Sequence, residues 1–119
     1  MRIRIGCMKF KTFTTCGYCI IIPVCDLLYF QSKGGVTCIY LVNGEMYRIS
    51  KTLKLVEKQL SSRYFFRCHS SYLVALNQIT QVDKVNGYVL IMKNQMRIPV
   101  ATRQRSLLVA RLKQLYPGP

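Results

Sequence analysis

The sequence predicts a mainly β domain, built from short antiparallel β-sheets and completed by a short amphipathic helix and a C-terminal helix. Short runs rich in β-branched and aromatic residues recur along the chain, as strands require. Glycine dipeptides punctuate them at Gly34-Gly35, Asn43-Gly44 and Asn86-Gly87. Only two stretches carry apolar residues at spacings of three and four, the helical period. A chain of 119 residues fits a single domain.

Residues 1–11 hold Arg2, Arg4, Lys9 and Lys11 without an acid, and the alternation Arg2, Ile3, Arg4, Ile5 reads as an exposed strand or a basic arm. Residues 1–17 are therefore set apart from a domain over residues 18–116. Residues 18–24 and 27–31 read as strands, followed by a loop of Ser32, Lys33, Gly34 and Gly35 whose glycines can take positive φ. Residues 36–42 and 45–49 form a hairpin over Asn43-Gly44, a pair suited to a type I′ turn because both central positions need positive φ. After Ser50, a possible cap, Leu53, Val56 and Leu60 alternate with Lys51, Lys54 and Lys58, which predicts the short helix. Residues 64–68 and 72–76 are strands around His69, Ser70 and Ser71. Residues 79–85 and 88–93 flank Asn86-Gly87 as another hairpin of the same kind, and residues 97–100 add a strand. Thr102 can cap a last helix whose stripe is Leu108, Leu112 and Leu115.

Lys and Arg total 18 against 4 Asp and Glu, a formal charge of +14, while hydrophobic types make up 50% of the chain. That composition can fill a core, so the charge belongs to a folded domain rather than to a disordered tail. Such a domain repels itself unless it meets a polyanion, a nucleic acid or an anionic membrane surface. The acids Asp26, Glu45, Glu57 and Asp83 are dispersed, which works against paired-carboxylate catalysis. Cys68 and His69 are neighbours on a strand and point to opposite faces, which argues against a nucleophile and base pair. No enzyme is predicted. Cys16 and Cys19 have the spacing of half a zinc site, but no second CxxC or CxxH exists, so no metal is expected. Gly34-Gly35 is not followed by Gly-Lys-Ser/Thr, and no cofactor is expected. The apolar run over 18–24 is too short to span a membrane and is broken by Pro23. A cytoplasmic protein with six free thiols is expected. Two other functions stay open at this point. Tyr29, Phe30, Tyr64, Phe65 and Phe66 could stack the bases of a single strand, and the charge alone would suit a module for acidic partners.

The run YFFRCHSSYLVALNQI over residues 64–79 closely resembles the core signature of LytTR-type DNA-binding domains. Upstream, Asp26-Leu27-Leu28-Tyr29-Phe30 is similar to that family's first-strand motif, residues 43–49 to its hairpin and Lys51-Thr52-Leu53 to the start of its small helix. Downstream, Arg97-Ile98-Pro99-Val100 with Arg103 and Leu108 is similar to its last strand and the segment beyond. The resemblance implies an elongated β fold whose loops, rather than helices, enter successive major grooves of double-stranded DNA. It implies a bacterial transcription regulator, with protomers paired on direct repeats. The family's base-contacting positions map onto the loop over 33–37, Ser70 and Arg103. With the adjacent signature His69 and the nearby Arg105 added, the candidate DNA-contacting residues are Lys33, Thr37, His69, Ser70, Arg103 and Arg105. Ser70 is a departure, standing where the family often has Arg, Lys or Asn. Many members also carry a receiver domain, for which 119 residues leave no room.

Overall fold

A computed structural model describes residues 9–85 and 87–118, and among these form ten strands and two α-helices. The Arg2 to Ile5 alternation and Asn86 lie outside the described residues. Strand β1 (Phe10–Thr15) pairs antiparallel with β2 (Tyr18–Pro23). Between them Cys16 and Gly17 take φ of 35° and 84°, the left-handed pair that a two-residue hairpin turn needs. The boundary expected after residue 17 thus falls inside a hairpin, and Phe13 on β1 is buried in the core. Phe10–Thr15 packs with the rest of the described residues because Phe13, unlike the exposed Phe10, is buried in the core.

Strands β3 (Leu27–Lys33), β4 (Val36–Leu41), β5 (Met46–Ile49), β6 (Phe65–His69) and β7 (Tyr72–Ala75) form a five-stranded antiparallel sheet in the order β5-β4-β3-β7-β6. Strands β8 (Ile79–Asp83), β9 (Val89–Met92) and β10 (Arg97–Pro99) form a second sheet in the order β10-β9-β8. Leu27 through Phe30 are all buried, at the middle of the larger sheet. The register against β4 slips between Leu27 and Tyr29, and this irregularity puts Leu27 and Phe30 into one core and Leu28 and Tyr29 into the other. The first core is closed by Phe13 and Ile22 of the hairpin and by Leu53 and Val56 of helix α1 (Leu53–Gln59). The second is closed by Leu90, Met92 and Ile98 of the smaller sheet and by Leu108 of helix α2 (Arg105–Leu115).

Several turns differ from expectation. At Asn43-Gly44 only Gly44 is left-handed, with φ of 94°. Its N–H donates to Leu41 O at 3.1 Å while Leu41 N–H donates to Glu45 O at 3.0 Å, making a three-residue loop rather than a type I′ turn. Val42 is drawn into this loop by donating to Asp26 O at 2.9 Å, and Asn43 acts through its side chain, which accepts from Glu45 N–H at 2.9 Å. A two-residue left-handed turn like that at Cys16-Gly17 lies at Gly34-Gly35, with φ of 56° and 86°, between the paired Lys33 and Val36. Helix α1 is capped by Thr52, which accepts from Leu55 N–H at 3.4 Å, and not by Ser50. Thr102 caps nothing. It opens a 3-10 turn, Thr102–Gln104, in which Gln104 N–H is satisfied by Ala101 O at 2.8 Å.

Cys16, Cys19, Cys38 and Cys68 are free, but Cys25 is disulfide-bonded, so the expectation of six free thiols does not stand. Tertiary proximity decides such a bond, and spacing alone does not specify it. Phe13→Ala should cost about 3–5 kcal/mol of stability, the usual penalty for emptying a phenylalanine site in a core. Chemical denaturation checks this, and a detached N-terminal arm would leave the midpoint unmoved.

Candidate nucleic-acid interface

Antiparallel pairing of β3 with β7, with Gln31 opposite Tyr72, brings the end of β3 beside the start of β7. The β3–β4 turn and the β6–β7 turn therefore project from the same end of the sheet. Ser32 N–H donates to Ser71 O at 2.9 Å and fastens one turn to the other. A third segment joins them through Ala101 N–H, which donates to Cys68 O at 2.8 Å and lays the 3-10 turn of Arg103 beside the end of β6. Lys33, His69, Ser70 and Arg103 are thereby gathered from three stretches of chain. Lys33, Ser70 and Arg103 are exposed, and Lys33 and Arg103 form no ion pair among the described residues.

Two candidates do not join them. Thr37 sits opposite Ser32 on β4 and is fully buried, its hydroxyl donating to Lys51 O at 2.6 Å. It serves the link between β4 and the entry to α1, and a β-branched residue suits that interior strand position. Arg105 is half-buried, with its guanidinium 5.1 Å above the Tyr88 ring, so it packs α2 onto the smaller sheet.

His69 has a defined chemistry. Its Nδ1 accepts from Ser71 N–H at 3.1 Å, so in the neutral ring Nε2 carries the proton and is the donor left for a partner. Cys68, next in the chain, enters the second core, and its thiol donates to Pro99 O at 3.7 Å. Burial pushes that thiol up to about 12, so it stays protonated and no thiolate and imidazole pair forms. Beneath the turns, Tyr40 OH donates to Gln31 Oε1 at 3.2 Å and Gln31 Nε2 donates to Tyr72 OH at 3.1 Å, tying β4, β3 and β7 together. The Tyr29 phenol, stacked 4.5 Å from Tyr40, has its pKa raised by burial and then by Tyr40, which keeps it neutral.

Glu57 is paired with Arg67 at 3.2 Å, Asp83 with Arg97 at 2.6 Å, and Glu45 accepts from Tyr47 OH at 2.8 Å. That last bond raises the Tyr47 pKa, because the carboxylate holds the phenolic proton. These three acids are spent inside local contacts, which leaves the exposed basic side chains to dominate the field. Tyr29, Phe30, Phe65 and Phe66 are buried and Tyr64 is half-buried, so these five aromatics do not form an exposed stacking platform for a single strand. Arg67 was not singled out from the sequence, yet its side chain donates to the carbonyls of both His69 and Ser70. Its signal in the sequence was its place in the run over residues 64–79, two residues before the candidate His69.

The family model of the LytTr DNA-binding domain matches residues 18–113. This chain belongs to the LytTr DNA-binding domain family. It is 29% identical over 85 residues to the transcriptional regulatory protein YpdB of Escherichia coli K12, and 30% identical over 84 residues to the sensory transduction protein LytT of Bacillus anthracis. Each match takes in 69% of this chain and 34% of the relative, so the chain spans about a third of the length of these curated relatives. The fold matches the LytTr DNA-binding domain of a Bacillus cereus protein described as a methyl-accepting/DNA response regulator. That match has a TM-score of 0.72 and 26% identity, and covers 87% of this chain and 95% of the other. The expected mainly β LytTR fold, with antiparallel sheets and a C-terminal helix, is the one found. Among the described residues no helix is long and apolar enough to cross a membrane.

The exposure of Cys16 and Cys19 and the burial of Cys38 and Cys68 predict two classes of thiol. A thiol reagent at neutral pH should modify Cys16 and Cys19 in the native protein and reach Cys38 and Cys68 only after denaturation. Peptide mapping of the labelled sites checks this.

Proposed function

We propose that this LytTr domain binds double-stranded DNA sequence-specifically, as the DNA-reading part of a bacterial transcription regulator, with its turns rather than its helices entering the major groove. The observation that carries the reading is the convergence of three segments through the Ser32 to Ser71 and Ala101 to Cys68 backbone bonds. Both turns are hairpin tips at one end of the larger sheet, and a major groove of about 12 Å width leaves room for side chains carried on such tips. Ser70 and the His69 Nε2–H meet base edges or phosphate from one tip, and Lys33 meets phosphate from the other. Arg103 follows on the 3-10 turn, and its planar guanidinium can donate two parallel bonds to guanine O6 and N7. No catalytic step belongs to this reading.

Magnitudes favour a pair of protomers. Each good base contact discriminates by about 1–3 kcal/mol, and specific readers separate their sites from bulk DNA by about 4–10 kcal/mol. The few base-reaching side chains of one protomer supply only the lower part of that span. Two protomers on direct repeats supply the rest.

Binding-site selection from random duplexes, followed by titration of a selected and a scrambled duplex, tests the proposal. Arg103→Ala should lose about 1–3 kcal/mol on the selected duplex and much less on the scrambled one. Lys93→Ala, beside the exposed turn at Asn94, should weaken both equally or neither. Equal losses for Arg103→Ala would reduce Arg103 to a phosphate contact. Affinity should also fall steeply with salt, since each neutralised phosphate releases counterion. A flat salt dependence, or no preference for any duplex, would overturn the reading.

A further inference from the structure

We infer that Arg67 is a positioning residue for DNA specificity: its guanidinium, anchored by Glu57 of α1, sets the shape of the β6–β7 turn and makes no phosphate contact of its own. This inference rests on the DNA-reading role just proposed. Arg67 lies within β6 between Phe66 and Cys68, which both enter the second core, and it is half-buried. Its Nε–H donates to His69 O at 3.1 Å, one Nη2–H donates to Ser70 O at 2.6 Å, and Nη1–H donates to Glu57 Oε1 at 3.2 Å. Three edges of one planar group are therefore committed to two consecutive carbonyls of the turn and to a carboxylate on a helix. An ammonium group lacks that fixed fork. The clamp sits where the pairing of β6 with β7 slips in register between Phe66 and His69, so regular ladder bonding does not by itself dictate the turn.

Ser70 makes the clamp matter. A long side chain at this position could adjust its rotamers to find a base edge, whereas a serine hydroxyl goes only where its backbone places it. Fixing Ser70 O fixes the start of that short reach. Because Glu57 stands on α1, whose Leu53 and Val56 are buried in the first core, the turn is referenced to the body of the domain. Arg67 counts in the net charge but is already neutralised, so it adds little to counterion release.

The test compares Arg67→Lys, Arg67→Ala and Glu57→Gln with the wild type on selected and scrambled duplexes across salt, after melts show that each variant folds. We expect Arg67→Lys to lose about tenfold in the ratio of selected to scrambled affinity, despite its retained charge, with an unchanged salt slope. Glu57→Gln should lower the same ratio while raising affinity for scrambled DNA, because it removes a negative charge. In a Ser70→Ala background the Arg67→Lys loss should shrink, since the residue being positioned is gone. Amide exchange at Ser71 in the free protein should speed up in Arg67→Lys, a readout that needs no DNA. If Arg67→Lys keeps the wild-type ratio, or if only Arg67→Ala acts and lowers the salt slope by about one, Arg67 is a phosphate contact and the inference falls. If the wild type prefers no duplex, the DNA-reading proposal falls and takes the specificity role with it.

Discussion

Four consecutive strand residues, Leu27, Leu28, Tyr29 and Phe30, are buried at the middle of the larger sheet, and the rest of the molecule follows from covering them on both sides. A strand displays its side chains to two faces, so an unbroken apolar run is stable only between two layers. The N-terminal hairpin and α1 supply one layer, and the smaller sheet with α2 supplies the other. Burying a large apolar side chain contributes about 1.5–3 kcal/mol, so leaving either face bare would cost more than a small domain can spare. A central β3 also needs a neighbour on each edge, and those neighbours, β4 and β7, belong to the two hairpins whose turns make up the candidate interface.

The candidate interface therefore inherits its geometry from the core. The turns are short, and they are tied to each other through backbone bonds rather than through flexible side chains. The row of Tyr40, Gln31 and Tyr72 stiffens the sheet just behind them. Rigid support suits a reader of base edges, because a displaced donor loses its bond while a displaced phosphate contact is readily remade. His69 shows the same economy of parts, with one ring nitrogen holding its own turn and the other left as a donor.

Charge is distributed by the same logic. Glu57 and Asp83 neutralise arginines that have structural work, and Arg105 is drawn over Tyr88. The basic groups that remain exposed at the candidate interface, Lys33 and Arg103, come from a turn and from the 3-10 segment ahead of α2. The net charge of +14 states an affinity for polyanions but overcounts the groups that can meet one.

The sequence by itself determined the class of fold, most of its strands, the apolar faces of both helices and, through the run over residues 64–79, the family. These are properties of local pattern and of short contiguous motifs, which survive in one dimension. Turn chemistry was legible only in part. Asn43-Gly44 marked a hairpin, but the pull of Asp26 O on Val42 changed its type, and Cys16-Gly17 went unread as the turn that makes β1 part of the domain. Tertiary structure alone decided that Thr37 and Arg105 turn away from the interface, that Cys25 is bonded and that Arg67 grips the turn ahead of it. Each of those outcomes depends on partners distant in the chain or on the direction a side chain takes within a register. The physical reason is that exposure and hydrogen bonding are properties of the packed neighbourhood, and no spacing in the sequence specifies which neighbour will be there.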